Sequence, residues 1–326
     1  MPGGSGIIGG GTRIGDFMKI GLVLMIAEHK ELRRAYSYEK TREIAQRAEE
    51  RGFDAIWLYD HMLYRGEDHP TIGIWECWTF LSALADATKR VELGTLVACT
   101  SFRNPALLAK MAITLDEVSQ GRLILGVGAG WNKPEYEAFG WPFDHRVSRF
   151  EEALQIIRPL LKEGKVDFVG KYYQARDCEI RPVGPRPGGP PLMVGCGGPR
   201  MLRLTARYAD LWNTGYLGRA GTLVQPRQDL RDACQETGRD PTTIGISALV
   251  YVHYPNLIPL PEGLDNPPIT GTPTQVAREM LEYEQAGVEH LMFHLLPYKT
   301  AAIRKFEEAL RIYHQLSNEQ RQNKTI

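Results

Sequence analysis

Cysteine is scarce in this chain, and the little there is follows no pattern. The five cysteines (Cys77, Cys99, Cys178, Cys196 and Cys234) are scattered, odd in number and without CxxC spacing, which excludes a disulfide framework or a structural zinc site as the basis of the fold. That usage fits a reducing compartment, and the expected address is the cytoplasm. No apolar run approaches the length of a membrane span, and the Gly-rich opening from Met1 to Asp16 lacks the apolar centre of a signal peptide. No membrane partner is expected, and residues 1–17 read as a flexible tail ahead of a single domain over 18–326. Neither sign of charge is in excess: 39 Lys and Arg stand against 39 Asp and Glu, at a pI near 7.1 and with no long basic run. The electrostatic footprint of a nucleic-acid binder is missing, so the expected partner is a small molecule. Metal-ligand spacing is missing as well. The first strand offers no HxH, no compact motif joins His253 to His294, and no metal site is expected.

What the chain does have is alternation. Short apolar runs lie at Lys19–Met25, Ala55–Tyr59, Val91–Ala98, Leu123–Val127, Pro191–Val194, Ala209–Trp212, Ile244–Val252 and His290–Leu295. They take turns with helical segments near Tyr38–Arg51, Glu76–Thr88, Pro105–Val118, Arg146–Glu163, Arg200–Tyr208, Thr222–Thr237, Thr274–Ala286 and Ala301–Leu316. The strand runs are rich in Val, Ile and Leu without strict polar alternation, as in a sheet covered on both faces, and the helical segments place apolar residues three or four apart. Eight such units predict an α/β fold, a (β/α)8 barrel rather than an open doubly wound sheet, because right-handed crossovers between parallel strands curl one way. Two stretches interrupt the alternation: Lys165–Pro190, with a hairpin expected at Val166–Ile180, and the Pro-dense Tyr254–Gly271. They are expected as insertions in the loops after strands four and seven, the second serving as a lid or a surface excursion.

In a barrel, ligands sit at the C-terminal strand ends. The second strand ends in Asp60-His61, a carboxylate and an imidazole that together can orient, donate or accept a proton near neutral pH; capping the next turn is the plain alternative. After the third strand, Asn104-Pro105 predicts a helix start, and Arg103 either meets an anion or joins a rim salt bridge. The fourth strand runs into Gly126-Val127-Gly128-Ala129-Gly130-Trp131-Asn132. Its G-x-G-x-G spacing, with no acidic strand end about twenty residues on, excludes a dinucleotide fingerprint. The glycines still let a flat ring approach the backbone. The fifth strand ends in Gly195-Cys196-Gly197-Gly198-Pro199-Arg200 before a helix, where backbone N–H groups suit a phosphate.

In order and spacing these motifs resemble the bacterial luciferase-like flavin and deazaflavin oxidoreductases. The resemblance is carried by Tyr59-Asp60-His61, Leu93-Gly94-Thr95 through Arg103-Asn104-Pro105, Gly128–Asn132 with Glu135 and Phe139-Gly140, Pro191–Gly195 with Gly197-Gly198, and Ala209-Asp210-Leu211-Trp212-Asn213. It implies a barrel whose C-terminal mouth binds FMN or coenzyme F420, with a cis peptide at Leu96–Val97 pressing on the central ring. It also implies that Gly195, Cys196, Gly197 and Gly198 hold the cofactor phosphate and that Gly128, Ala129, Gly130, Trp131 and Asn132 line the ring and ribityl chain. Asp60, Tyr136, His145 and Arg146 are expected as further cofactor contacts. The GAGWN form is most similar to the F420-dependent branch, which implies hydride transfer between coenzyme F420 and an organic substrate, with His61 as proton partner and Asp60 orienting the ring or the imidazole. An FMN-dependent monooxygenase using reduced flavin and oxygen is the alternative, and a barrel that binds a cofactor without catalysis is a third reading. Members of the branch that oxidise sugar phosphates carry Glu where this chain has Trp131, which argues against a sugar-phosphate substrate. Trp75, Trp78, Phe102 and Trp131 suggest a substrate with apolar area, and family analogy adds a homodimer.

Overall fold

The computed structural model describes residues 18–29, 33–66, 70–264 and 266–324, and the expected N-terminal tail lies outside them. The chain begins with strand β1 (Lys19–Val23), helix α1 (Tyr38–Glu50) and β2 (Ala55–Leu58), then a short hairpin of β3 (Leu63–Tyr64) and β4 (Ile72–Gly73). Next come α2 (Cys77–Ala87), β5 (Glu92–Thr95), β6 (Ala98–Cys99), α3 (Pro105–Val118) and β7 (Leu123–Gly128). Helices α4 (Lys133–Phe139) and α5 (Arg146–Lys162) precede a second hairpin, β8 (Lys165–Val169) and β9 (Gln174–Glu179). The remainder runs β10 (Leu192–Gly195), α6 (Pro199–Tyr208), β11 (Leu211–Leu217), α7 (Val224–Thr237), β12 (Gly245–His253), β13 (Ile269–Thr270), α8 (Pro273–Gln285), β14 (His290–Leu296) and α9 (Thr300–Lys324).

Strands β1, β2, β5, β7, β10, β11, β12 and β14 pair in that order, all parallel, and β14 returns to β1 with Lys19 opposite His290. This closes the expected (β/α)8 barrel. The helices start where the sequence supplies caps. Ser37 accepts the Lys40 N–H, Asn104 accepts those of Ala106 and Leu107 ahead of Pro105, and Thr272 with Gln275 forms a capping box. Among the described residues, no helix is long and apolar enough to cross a membrane.

Side chains facing inward fill the barrel in layers. Val23, Ala55, Trp57, Ile124, Met193, Leu211, Leu249 and Met292 form the inner core, while outward residues pack under the helices. The Trp57 indole fits there because Gly21 and Gly94 flank it. A Cβ would lie 2.4 Å from the indole at Gly21 and 2.0 Å from it at Gly94. Below, at the N-terminal end, the His290 ring meets Trp57 edge-on at 6.3 Å, and burial lowers the His290 pKa to about 4.

Three expectations change. The hairpin expected at Val166–Ile180 is present as β8 and β9, but it follows α5 rather than coming directly after strand four. Its turn is held by the Glu152 carboxylate, which accepts the N–H groups of Lys171, Tyr172 and Tyr173, so the hairpin runs back along α5 toward the mouth. What does follow strand four is α4, absent from the sequence reading although Pro134 marks its start and Gly140, at φ +74°, its stop. The sixth barrel strand lies later than Ala209–Trp212. Asp210 precedes it, tied to Arg158 by two 2.7 Å bonds, and the polar Asn213 remains in the barrel because its Nδ2 donates to Ser247 Oγ at 3.1 Å. The insertion after strand seven is where expected. There β13 pairs with the end of β12, and His253 Nε2 lies 2.8 Å from the Ile258 carbonyl.

Candidate active site

Two residues beyond the inner-core Trp57, Met193, Leu249 and Met292, strand alternation turns Tyr59, Gly195, Tyr251 and His294 inward, one layer higher. Strand β5 breaks at Leu96–Val97, whose peptide bond is cis, and resumes pairing with β7 as β6. The Val97 side chain stands between two glycines: a Cβ at Gly128 or at Gly195 would come within 2.8 Å of its methyl groups. Both glycines were expected to line a cofactor, and their first effect is to seat Val97. The half-buried Leu96 and Val97 thus make a smooth apolar floor on one side of the mouth.

The Tyr59-Asp60-His61 segment serves three purposes. The Tyr59 hydroxyl accepts the N–H groups of Ile26 and Ala27 at 3.0 and 2.8 Å and so fixes the loop after β1. Asp60 is 2% exposed and accepts two bonds from Arg103, at 2.6 and 3.0 Å, and one from the Cys99 N–H at 3.1 Å. Burial pushes the Asp60 carboxyl up and the guanidinium opposes it; with three donors and no acceptor around it, the carboxylate is the form that fits. Arg103 also bonds Glu76 at 2.7 Å, so the rim salt bridge is its fate. Asp60 is a structural anchor and does not orient the imidazole.

His61 is oriented by Glu135 instead. Glu135 Oε1 lies 2.9 Å from His61 Nδ1, and Oε2 accepts the Met62 N–H at 2.9 Å. A carboxylate only accepts, so Nδ1 carries a hydrogen and Nε2 is the imidazole atom turned away from Glu135. Glu135 was legible only as a motif residue. The helix that aims it, α4, was the element overlooked. Around His61 the rings of Tyr64, at 4.8 Å, and Trp131, at 5.4 Å, complete an aromatic collar.

The loop leaving β7 is tightly braced. Gly130 has φ +74°, and a Cβ there would lie 2.1 Å from the Tyr136 hydroxyl and 2.6 Å from Cys99 Sγ. Tyr136 is fully buried and donates to the Ala129 carbonyl at 2.9 Å, so it supports the loop from beneath and cannot touch a ligand. Asn132 is likewise committed, its Nδ2 donating to the Leu63 carbonyl at 2.8 Å. Arg146 donates to the Gly130 carbonyl at 2.7 Å and lies over the Phe143 ring. His145 sits on the rim, its ring 5.7 Å from that of Tyr172 in the hairpin turn.

Across the mouth, Gly195–Gly198 leads into α6. Cys196 turns its thiol to Thr205, 3.1 Å away, and burial pushes that thiol up to about 11. Gly197 and Gly198 are exposed, and a Cβ at either would meet nothing within 4 Å. This loop therefore presents open backbone at a helix N-terminus.

A model of the luciferase-like monooxygenase family matches residues 18–256. An F420-dependent glucose-6-phosphate dehydrogenase from Amycolatopsis mediterranei is 37% identical over 187 residues, 55% of this chain and 53% of that protein. Pyrimidine monooxygenase RutA from a Bradyrhizobium strain is 33% identical over 214 residues, 63% of this chain and 58% of that protein. The chain thus spans little more than half the length of these relatives. Among solved structures, an F420-dependent secondary alcohol dehydrogenase in complex with an F420-acetone adduct aligns with a TM-score of 0.75 at 22% identity, over 91% of this chain and 99% of that one, a likeness of fold.

Proposed function

Because the chain belongs to the luciferase-like monooxygenase family, we propose that it is an oxidoreductase that moves a hydride between coenzyme F420 and a small organic substrate. The observation that carries this reading is the His61–Glu135 pair, an imidazole held by a buried carboxylate at the barrel mouth. Hydride transfer to or from an oxygen-bearing carbon needs a proton partner, and His61, held at Nδ1 by Glu135, is the residue to which we assign that work. The residues fit the cofactor: Leu96 and Val97 offer a flat apolar surface for its ring, and the open backbone of Gly197, Gly198 and the first turn of α6 suits its phosphate. When bound, F420 supplies or accepts the hydride at a ring carbon. The protein's own part is to bind and orient. Glu135 fixes the imidazole, and the Tyr64 and Trp131 rings pack against it.

The second reading, an FMN-dependent monooxygenase, is favoured by the likeness to pyrimidine monooxygenase RutA. Titrating the purified protein with F420 and with FMN, followed by absorbance, separates them. Tighter F420 binding with turnover in the absence of oxygen supports the proposal. Tighter FMN binding with oxygen-dependent turnover refutes it.

A further inference from the structure

We propose that Trp131 is the substrate's platform rather than a cofactor contact, and that the substrate is an uncharged planar carbonyl compound or the corresponding alcohol. This rests on the oxidoreductase reading above and adds the substrate class. Trp131 is 64% exposed, unusual for an indole, and both of its chain neighbours are anchored. The Arg146 guanidinium holds the carbonyl of the residue before it, and Asn132, the residue after it, is bonded to Leu63. The indole lies edge-on to His61 at 5.4 Å and nearly parallel to Tyr64, at 25° and 6.4 Å. A flat ligand covering that face removes apolar surface from water and brings its reacting atoms beside the imidazole.

The surrounding charges define the class. Tyr59, Met62, Tyr64 and Trp131 bring no formal charge to His61, and burial pushes the Tyr64 phenol up, so it stays neutral. The nearby carboxylate, Glu135, lies behind the imidazole and disfavours an anion. Among the described residues, Arg103 is paired with the carboxylates of Asp60 and Glu76, Arg146 is turned to the Gly130 carbonyl and the Phe143 ring, and Arg65 to Thr71 Oγ1 at 3.2 Å. Among the described residues, the side chains that touch the imidazole are Tyr59, Tyr64, Trp131 and Glu135, so a phosphate or carboxylate beside it would meet a carboxylate and no cation. In the reducing direction the carbonyl carbon gains the hydride given up by the reduced cofactor, which loses that electron pair. The C=O π pair moves to oxygen, and the oxygen takes the Nε2 proton of a doubly protonated His61, which is left as the neutral imidazole with its hydrogen on Nδ1 facing Glu135. Alcohol oxidation reverses each step.

The test titrates cofactor-loaded protein with acetophenone, 2-acetylnaphthalene and glucose 6-phosphate, reading binding from the cofactor's absorbance, in the wild type, Trp131→Ala and Trp131→Phe. The cofactor Kd is measured for each variant. We expect the naphthyl ketone to bind more tightly than the phenyl ketone and both more tightly than the sugar phosphate. Trp131→Ala should weaken ketone binding about five- to tenfold, the worth of one aromatic face, and Trp131→Phe less than about threefold, with the cofactor Kd unchanged. The proposal is overturned if cofactor affinity falls together with ketone affinity, if Trp131→Ala leaves ketone binding intact, or if glucose 6-phosphate binds more tightly. Failure of the F420 reading has its own signature, FMN binding in place of F420, and the same titrations on FMN-loaded protein then decide the role of Trp131.

Discussion

Replacing Glu135 by Gln removes one charge and almost no volume, and the local geometry sets the cost. The two carboxylate oxygens face two donors, His61 Nδ1 and Met62 N, each at 2.9 Å. An amide offers one acceptor oxygen, so whichever donor it serves, the other meets an NH2 group. One hydrogen bond is lost and the other drops from charge-assisted to neutral. With about 1–3 kcal/mol for a buried unpaired donor and about 1 kcal/mol for the weakened bond, Glu135→Gln should destabilise the fold by roughly 2–4 kcal/mol. Glu135 is 1% exposed, so water cannot repair the loss. Urea unfolding monitored by circular dichroism measures it. In turnover the imidazole loses its fixed orientation, so kcat should fall about ten- to hundredfold while KM changes little, since Glu135 does not reach the substrate. A variant as stable as the wild type and within twofold of its kcat would show that Glu135 neither braces nor orients His61.

Two glycines of equal φ provide a control for each other: Gly130 and Gly140 both sit at +74°, but only Gly130 has no room for a Cβ. Thermal unfolding should show Gly140→Ala losing about 1–2 kcal/mol and Gly130→Ala clearly more; equal losses would contradict the packing around Tyr136. His290 takes up a proton near pH 4 in the folded chain against an ordinary value of 6.5, because burial disfavours its charged form. The unfolded chain therefore binds the proton first, and stability should decline as pH falls from about 6.5 to about 4, a slope that His290→Gln flattens in pH-dependent urea melts. Asp210 behaves differently: burial raises its pKa, but the bonds from Arg158 and the Leu192 N–H outweigh burial and hold it below the ordinary aspartate value. Its stabilisation is present above that ordinary value and is lost as pH falls through the folded one, so wild-type and Asp210→Asn melting temperatures should converge in acid.

The barrel was legible because each inward and outward strand face is apolar, which makes Leu123–Gly128 or Gly245–His253 stand out without any knowledge of partners. Strand β11 was misplaced because its Asn213 and Thr214 are polar yet buried, and Asn213 is satisfied across the sheet by Ser247, a partner that only the closed barrel supplies. The strand-end positions of His61 and of the glycine loops were legible from the alternation, while their roles belong to the proposal. The expected roles of Asp60, Asn132 and Tyr136 gave way to bonds with Arg103, Leu63 and Ala129, contacts between residues far apart in sequence or facing a direction that spacing does not encode. The orienting role of Glu135 depended on α4, a helix of seven residues, too short for periodicity to reveal.

Val97, seated between Gly128 and Gly195, makes the three positions mutually dependent for any lineage or library that reshapes this mouth. A methyl group added at 128 or 195 has no place until 97 becomes smaller, and a smaller residue at 97 alone leaves a void. Substitutions here are epistatic: Val97→Gly is the permissive change, Gly128→Ala the one that depends on it, and the reverse order passes through a disfavoured intermediate. Single-site saturation at these glycines would score them as immutable, and paired libraries would show that they are not.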